Sequence, residues 1–205
     1  MDDEACREAS KQEVLRRYFK ALCDLKTGTG TQDTVSRLEF LMSRLGINVA
    51  DRKIVEVAKK KSEDNENCGA VALELQDGRI VTGKNTKRMS ASAACVFNAV
   101  KMLAGIKDNQ KLISPYVIGP IIDLKTKILK EHNKTLTLEE ALIALSICAA
   151  SDANAATAME QLPLLEGCDA HSTHMLFKAD ENPFRKLGVR LTCSPEFLDK
   201  TLFIE

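Results

Sequence analysis

The sequence predicts an α+α/β protein: a helical subdomain over 1–66, then a three-layer α/β domain with a mixed sheet over 67–205. Apolar residues recur at helical spacing three times before residue 62, so the chain opens on helices. Asp77-Gly78 then sits between two β-rich runs, the pattern of a tight hairpin. From there to residue 193 helix and strand patterns alternate. With 205 residues, 44% of them hydrophobic, the chain can bury a substantial core.

Ser10-x-x-Glu13 reads as a capping box, in which the Ser side chain accepts from the first turn and the Glu reaches back. Behind it Val14, Leu15, Tyr18, Phe19, Leu22 and Leu25 form the first helical stripe. Lys26-Thr-Gly-Thr-Gly-Thr31 ends that helix. A second begins near Thr31, carries Val35, Leu38, Leu41, Met42 and Leu45 on one face, and stops at Gly46. A third, from 51 to about 62, gathers Ile54, Val55 and Ala58. Ser62-Glu-Asp-Asn-Glu-Asn67 is polar and reads as a linker.

Residues 69–75 read as a strand, Gln76-Asp77-Gly78 as a turn and 79–82 as the returning strand, since Gly tolerates the positive φ such a turn needs. A helix follows from about 90 to 103, closed near Gly105. Ser114-Pro115 marks another start, with Gly119-Pro120 delaying the regular helix by a turn, and it runs to about 130. Thr137-x-x-Glu140 is a second capping box for a helix to about 150, and Asp152 caps one that ends before Pro163. A strand at 169–177, a short helix at 182–187 stopped by Gly188, and a last strand at 189–193 complete the pattern. The tail, 195–205, has no readable assignment.

Composition excludes several functions. Lys plus Arg and Asp plus Glu number 29 each, so the net charge is zero and no basic face for nucleic acid is expected. No apolar stretch approaches the roughly 18–20 residues that cross a bilayer, so no membrane partner is expected. The acidic start Met1-Asp2-Asp3-Glu4 is wrong for a signal peptide. Seven scattered cysteines with no Cys-x-x-Cys fit reduced thiols and a cytoplasmic protein.

Candidate chemistry is sparse. Gly28 and Gly30 mimic a phosphate loop, but a helix precedes them and no lysine follows, so they read as a connector. His171 and His174 would fall on opposite faces of a strand, and His132 lies in a distant polar turn, so no metal site and no cofactor are expected. No Gly-x-Ser-x-Gly elbow or Cys/His pairing is evident. Glu139-Glu140 suits a helix start. The unit of most interest is strand–turn–strand–loop–helix over 69–103. Its exit Gly83-Lys84-Asn85 and the small residues Ser90-Ala-Ser-Ala-Ala94 form a polar mouth at a helix N-terminus, where free N–H groups favour an anion. Equally, the small residues serve to pack helix closely on sheet.

This hairpin-then-helix pattern resembles the opening of the cytidine-deaminase-like fold. That resemblance implies a mixed sheet with helices across it. The helix start lacks the deaminase Glu, and no Cys-x-x-Cys follows, so zinc deamination is not implied.

A wider resemblance covers almost the whole chain. Glu8-Ala-Ser-Lys-Gln-Glu13 to Cys23-Asp24, Asp77-Gly-Arg-Ile-Val-Thr-Gly-Lys84, Ala141-Leu-Ile-Ala-Leu-Ser146, Glu160-Gln-Leu-Pro163, Gly167-Cys-Asp-Ala-His-Ser-Thr173 and Phe184-Arg-Lys-Leu-Gly-Val189 occur in order. On these stretches the chain resembles the later, C-terminal portion of the family named domain of unknown function 1846, or uncharacterised protein family 0371. The resemblance implies a longer N-terminal part in the family, with a Gly-rich, P-loop-like segment ending in Gly-Lys. It implies no activity. Where the family tends to Gly-Lys-Thr-Ser and Gly-Ala-Ser-Ser, this chain has Gly83-Lys84-Asn85-Thr86 and Ser90-Ala91-Ser92-Ala93.

The functional expectation is a zinc-free ligand-binding module. Gly83, Lys84 and Asn85 would meet a small anionic ligand, Ser92 would donate to it, and Asn98 would support that wall. His171 with Ser172 or Thr173 would approach from the neighbouring strand. The rival expectation is a structural or homo-oligomerisation domain, and a third is a metal-independent Lys/His enzyme.

Overall fold

A computed structural model of the chain describes residues 3–66 and 68–198. Helix α1 spans Asp3–Lys26. Ser10 therefore lies inside it, and its hydroxyl donates to the Cys6 carbonyl at 2.8 Å instead of capping a start. A serine bonding back four residues matches the box in sequence. Helix α2, Gln32–Leu45, is capped by Thr31 and closed by Gly46 at φ 62, as its sequence requires. After a short turn comes α3, Lys53–Glu63. The expected linker is in part the end of this helix, and Asn67 lies outside the described residues.

Strands β1, Ala70–Glu74, and β2, Ile80–Lys84, form the hairpin, with Ala72 opposite Thr82. Helix α4, Ala91–Ala104, crosses back over them with Ser90 as its cap. Helix α5, Pro115–Asp123, starts at Pro115 itself, because Pro fits the first helical position. Pro120 sits inside it, and a π turn, Leu124–Ile128, follows. Helices α6, Leu138–Ala149, and α7, Ala153–Glu160, are capped by Thr137 and Asp152.

Strand β3 is only Asp169–Ser172, shorter than the 169–177 expected. Beyond it Thr173 turns to bond the start of β1, and the alternating pattern no longer describes a strand. Helix α8, Lys178–Lys186, begins four residues before the expected start, with Pro183 inside it. Strand β4 is Arg190–Cys193. The sheet runs β2-β1-β3-β4, antiparallel except for the parallel pair β3–β4, so it is mixed as expected.

Helices cover both faces of the sheet. Val71 and Leu73 pack with α4, α6 and α7 in the main core, whereas Ala72 meets Ile54 and Ala58 of α3 on the other side. Burying roughly half a dozen aliphatic side chains of the sheet contributes on the order of 10 kcal/mol before entropy is set against it.

Arg52, 2% exposed, fastens the α1–α3 side to the sheet. Its guanidinium donates to Asp169 at 2.9 Å, Thr192 at 3.1 Å, Gln12 at 3.2 Å and the carbonyls of Ala170 and Arg190. Burial lowers its pKa while Asp169 opposes the shift. A planar five-donor fork is the side chain that can satisfy so many acceptors at once.

Candidate functional site

The first turn of α4 lies at the floor of a cavity of about 340 Å³, walled by the start of α6, the start of α8 and the segment after β3. Close packing sets that position. Gly83 faces the helix where any Cβ would collide with the Cys95 nitrogen and the Ala91 carbonyl. Of the two readings of the small residues, close helix–sheet packing is thus realised at this point. Gly69 performs the same service for His174, since a Cβ there would lie 2.5 Å from the imidazole Cε1.

The floor is held by one carboxylate. Asp180 of α8 is buried, and its Oδ1 accepts from the Ser90 hydroxyl and from the Leu138 N–H, each at 2.7 Å. These donors belong to the N-cap of α4 and the first turn of α6. Burial raises the Asp180 pKa, and its two hydrogen bonds oppose the shift. Asn85 lends its side-chain oxygen to the Ala91 N–H at 2.6 Å, which completes the cap of α4.

Ser92 stands apart. It is fully buried, it lines the cavity, and its hydroxyl has no hydrogen-bond partner among the described residues. Such a group costs roughly 1–3 kcal/mol when left unsatisfied. His174 lines the same cavity at 9% exposure, and burial lowers its pKa to about 4, so the ring is neutral at pH 7. Leu176, Phe177 and Leu198 give the cavity an apolar side, and Asn133, Thr135 and Thr137 a polar one.

Of the sequence-derived site residues, the fold brings Asn85 and Ser92 to this cavity. Lys84 instead donates to Asn65 at the end of α3. Asn98 is exposed on the far side of the α4 start and donates to the Thr82 carbonyl at 2.9 Å, which occupies the edge of β2. His171 lies on the opposite face of the sheet, its ring 4.8 Å from that of Phe19. Its nitrogens meet Thr192 at 2.9 Å and Ser194 at 3.1 Å, and burial with nearby Arg52 brings its pKa to about 3. Ser172 accepts from the His174 N–H, and Thr173 exchanges bonds with the Ala70 backbone. These five therefore lie outside the cavity lining.

Sequence reasoning missed His174 and Asp180. Extending the strand to 177 put His174 on a sheet face, and starting the last helix at 182 left Asp180 in a connection. The acidic pair Asp180-Glu181 ahead of Pro183 was the available signal for an earlier helix start. Among the described residues, no cluster of three or more His, Cys, Asp or Glu side chains could hold a metal ion. No helix among them is long and apolar enough to cross a membrane.

Fold and site together define a mixed α/β protein with a cavity, apolar on one side and polar on the other, where two helix N-termini meet. Residues 50–203 match the family described as Domain of unknown function DUF1846, C-terminal, and residues 1–46 match its N-terminal counterpart. The chain belongs to the DUF1846 family and straddles the junction of its two domains. It is 46% identical to a UPF0371 protein of Clostridium botulinum (strain Eklund 17B) and 45% identical to one of Clostridioides difficile (strain 630). Each match covers 99% of this chain and 42% of the relative, so the chain spans about two fifths of their length.

Proposed function

We propose that this chain is a ligand-binding module whose site is the cavity at the α4 and α6 N-termini. The observation that carries the reading is the buried, unpartnered Ser92 hydroxyl on the cavity wall. A bound molecule that hydrogen-bonds there removes its desolvation cost. The occupant is a small polar molecule with an apolar side, matching Leu176, Phe177 and Leu198 opposite the helix starts. It is uncharged where it meets the floor, because an anion would lie beside the Asp180 carboxylate, which already uses both helix ends. Lys87 lines the cavity and is the group placed to meet a negative charge on the occupant's outer part.

Binding is favoured over acid–base catalysis. A histidine with a pKa of about 4 is a weak base at pH 7, and Lys84 lies outside the cavity lining. A cytidine-deaminase-like layout for residues 67–205 is supported by the hairpin β1–β2 feeding α4 across a mixed sheet. A cytoplasmic setting is supported by seven free thiols.

The test uses Cys68, a half-buried thiol in the cavity lining. Native mass spectrometry of the purified chain is expected to show a stoichiometric small molecule that leaves on acid release. Its presence slows alkylation of Cys68 by iodoacetamide, and Ser92→Ala lowers its occupancy. A chain that stays empty across a soluble-metabolite extract, with Cys68 alkylated equally throughout, overturns the reading.

A further inference from the structure

Helices α1 and α2 share a small core of their own, in which Leu15, Met42 and Ile47 are buried together. That core uses only part of α2. Phe40, Leu41 and Leu45, which fall within one arc of the helix, remain 65%, 40% and 55% exposed. Leu45 also borders a cleft of about 490 Å³ between α1 and the end of α2, lined by Val14 and Ile47. Arg37 and Arg44 fall between Phe40 and Leu41 on this arc, with the Arg44 guanidinium 5.8 Å over the Phe40 ring, so the face is apolar with a basic seam. Exposed large apolar side chains beside an open cleft mark an interaction site.

Its occupant follows from how the family divides the chain. Residues 1–46 hold α1 and α2 and match the N-terminal family domain, whereas the C-terminal match begins at residue 50. The shared stretch is 42% of each relative, so more than half of a relative's length lies outside it. The exposed face thus belongs to two helices that, in the relatives, form part of a larger domain, and a helix of a domain turns its apolar stripe toward that domain's core.

We infer that the face of Phe40, Leu41 and Leu45, with the adjoining cleft, docks the remainder of a DUF1846 N-terminal domain, as carried by the longer relatives. The inference is independent of the cavity, which lies at the starts of α4 and α6.

The experiment co-expresses the tagged chain with the part of the Clostridioides difficile relative that lies outside the shared stretch. The relative's own shared stretch, tagged in the same way, serves as the comparison. A one-to-one complex by sedimentation is expected with both partners. Phe40→Glu and Leu45→Glu are exposed changes expected to leave the melting temperature in place while weakening the complex at least tenfold, as central apolar contacts do. Tyr116→Glu, on α5 and 92% exposed, is expected to leave it unchanged. The inference is overturned if the relative's two pieces associate and this chain does not, or if those two pieces fail to associate. It is equally overturned if the α2 changes have no effect, or if they instead disperse a homo-oligomer of this chain.

Discussion

The hydroxyl of Ser90 donates to Oδ1 of Asp180 at 2.7 Å, and the Leu138 N–H meets the same oxygen at 2.7 Å. One carboxylate therefore joins the starts of α4 and α6 to α8 and fixes the shape of the cavity between them. Its negative charge lies where two helix dipoles favour it, which offsets part of the cost of burial.

Replacing that carboxylate separates its bonding from its charge. Asp180→Ala strands the Ser90 hydroxyl and the Leu138 N–H and is expected to cost about 2–4 kcal/mol. Asp180→Asn keeps an acceptor oxygen and removes the buried charge, so it is expected to cost under about 1 kcal/mol. Urea denaturation of the two variants checks the difference. Equal losses would show that charge, not hydrogen bonding, holds the helix starts together.

This junction also marks where the sequence stops being legible. Local signals were sufficient for the hairpin, for the caps Thr31, Thr137 and Asp152, and for the stop at Gly46, because each acts within one turn. Ser10 misled because a serine can bond back to a carbonyl inside a helix, as Ser10 does to Cys6, as well as cap a helix start. The start of α8 was less legible, because Pro183 is tolerated here inside the helix. The site was half legible. Asn85 and Ser92 sit next to the hairpin that gives them away, whereas Asp180 lies 90 residues from Ser90 and meets it only through the packing of α8. His171 shows the converse: its short sequence distance to Ser172 conceals that strand neighbours point to opposite faces.

Ser92→Ala removes a buried hydroxyl that has no partner among the described residues. The folded chain is expected to become more stable by up to about 1–2 kcal/mol, since an unsatisfied polar group is lost and no bond is broken. Chemical denaturation of the ligand-free chain measures it. A loss of stability would reveal that the hydroxyl is bonded in solution, and would remove the main support for the cavity as a binding site.

Arg52 is the largest single liability on the opposite face. Arg52→Met removes a donor shared by Asp169 and two backbone carbonyls while Arg16 and Arg190 remain paired with Asp169, so a loss of about 2–4 kcal/mol is expected. Arg52→Lys restores the charge without the planar fork, so most of the loss is expected to remain. Thermal unfolding of both variants is the check. Full rescue by lysine would mean that charge alone ties α1 and α3 to the sheet.

Gly83→Ala tests the helix–sheet spacing directly. A Cβ there runs into backbone atoms of Cys95 and Ala91, which cannot rotate away as a side chain would. A cost of about 1–3 kcal/mol is expected from the forced shift, together with faster hydrogen exchange at the start of α4. An unchanged exchange pattern would show that strand and helix have room to part.

The two buried histidines set the acid side of the stability profile. Burial brings His174 to about 4 and His171 to about 3, while an unfolded chain protonates both near about 6.5. Below that value the unfolded state takes up protons that the folded state refuses. Their contribution is therefore complete above about pH 6.5 and declines as the pH falls toward 4, by at most about 1.4 kcal/mol per pH unit for each ring. Asp180 acts in the other direction, because its raised pKa lets the folded state hold a proton that the unfolded state has released. It can thus flatten the lower part of the decline without moving its start. Urea unfolding at pH 7, 6 and 5 is expected to show a shallower decline in His174→Gln than in the native chain. Parallel curves would mean that the His174 ring titrates alike in the folded and unfolded chain, so that burial does not hold it neutral.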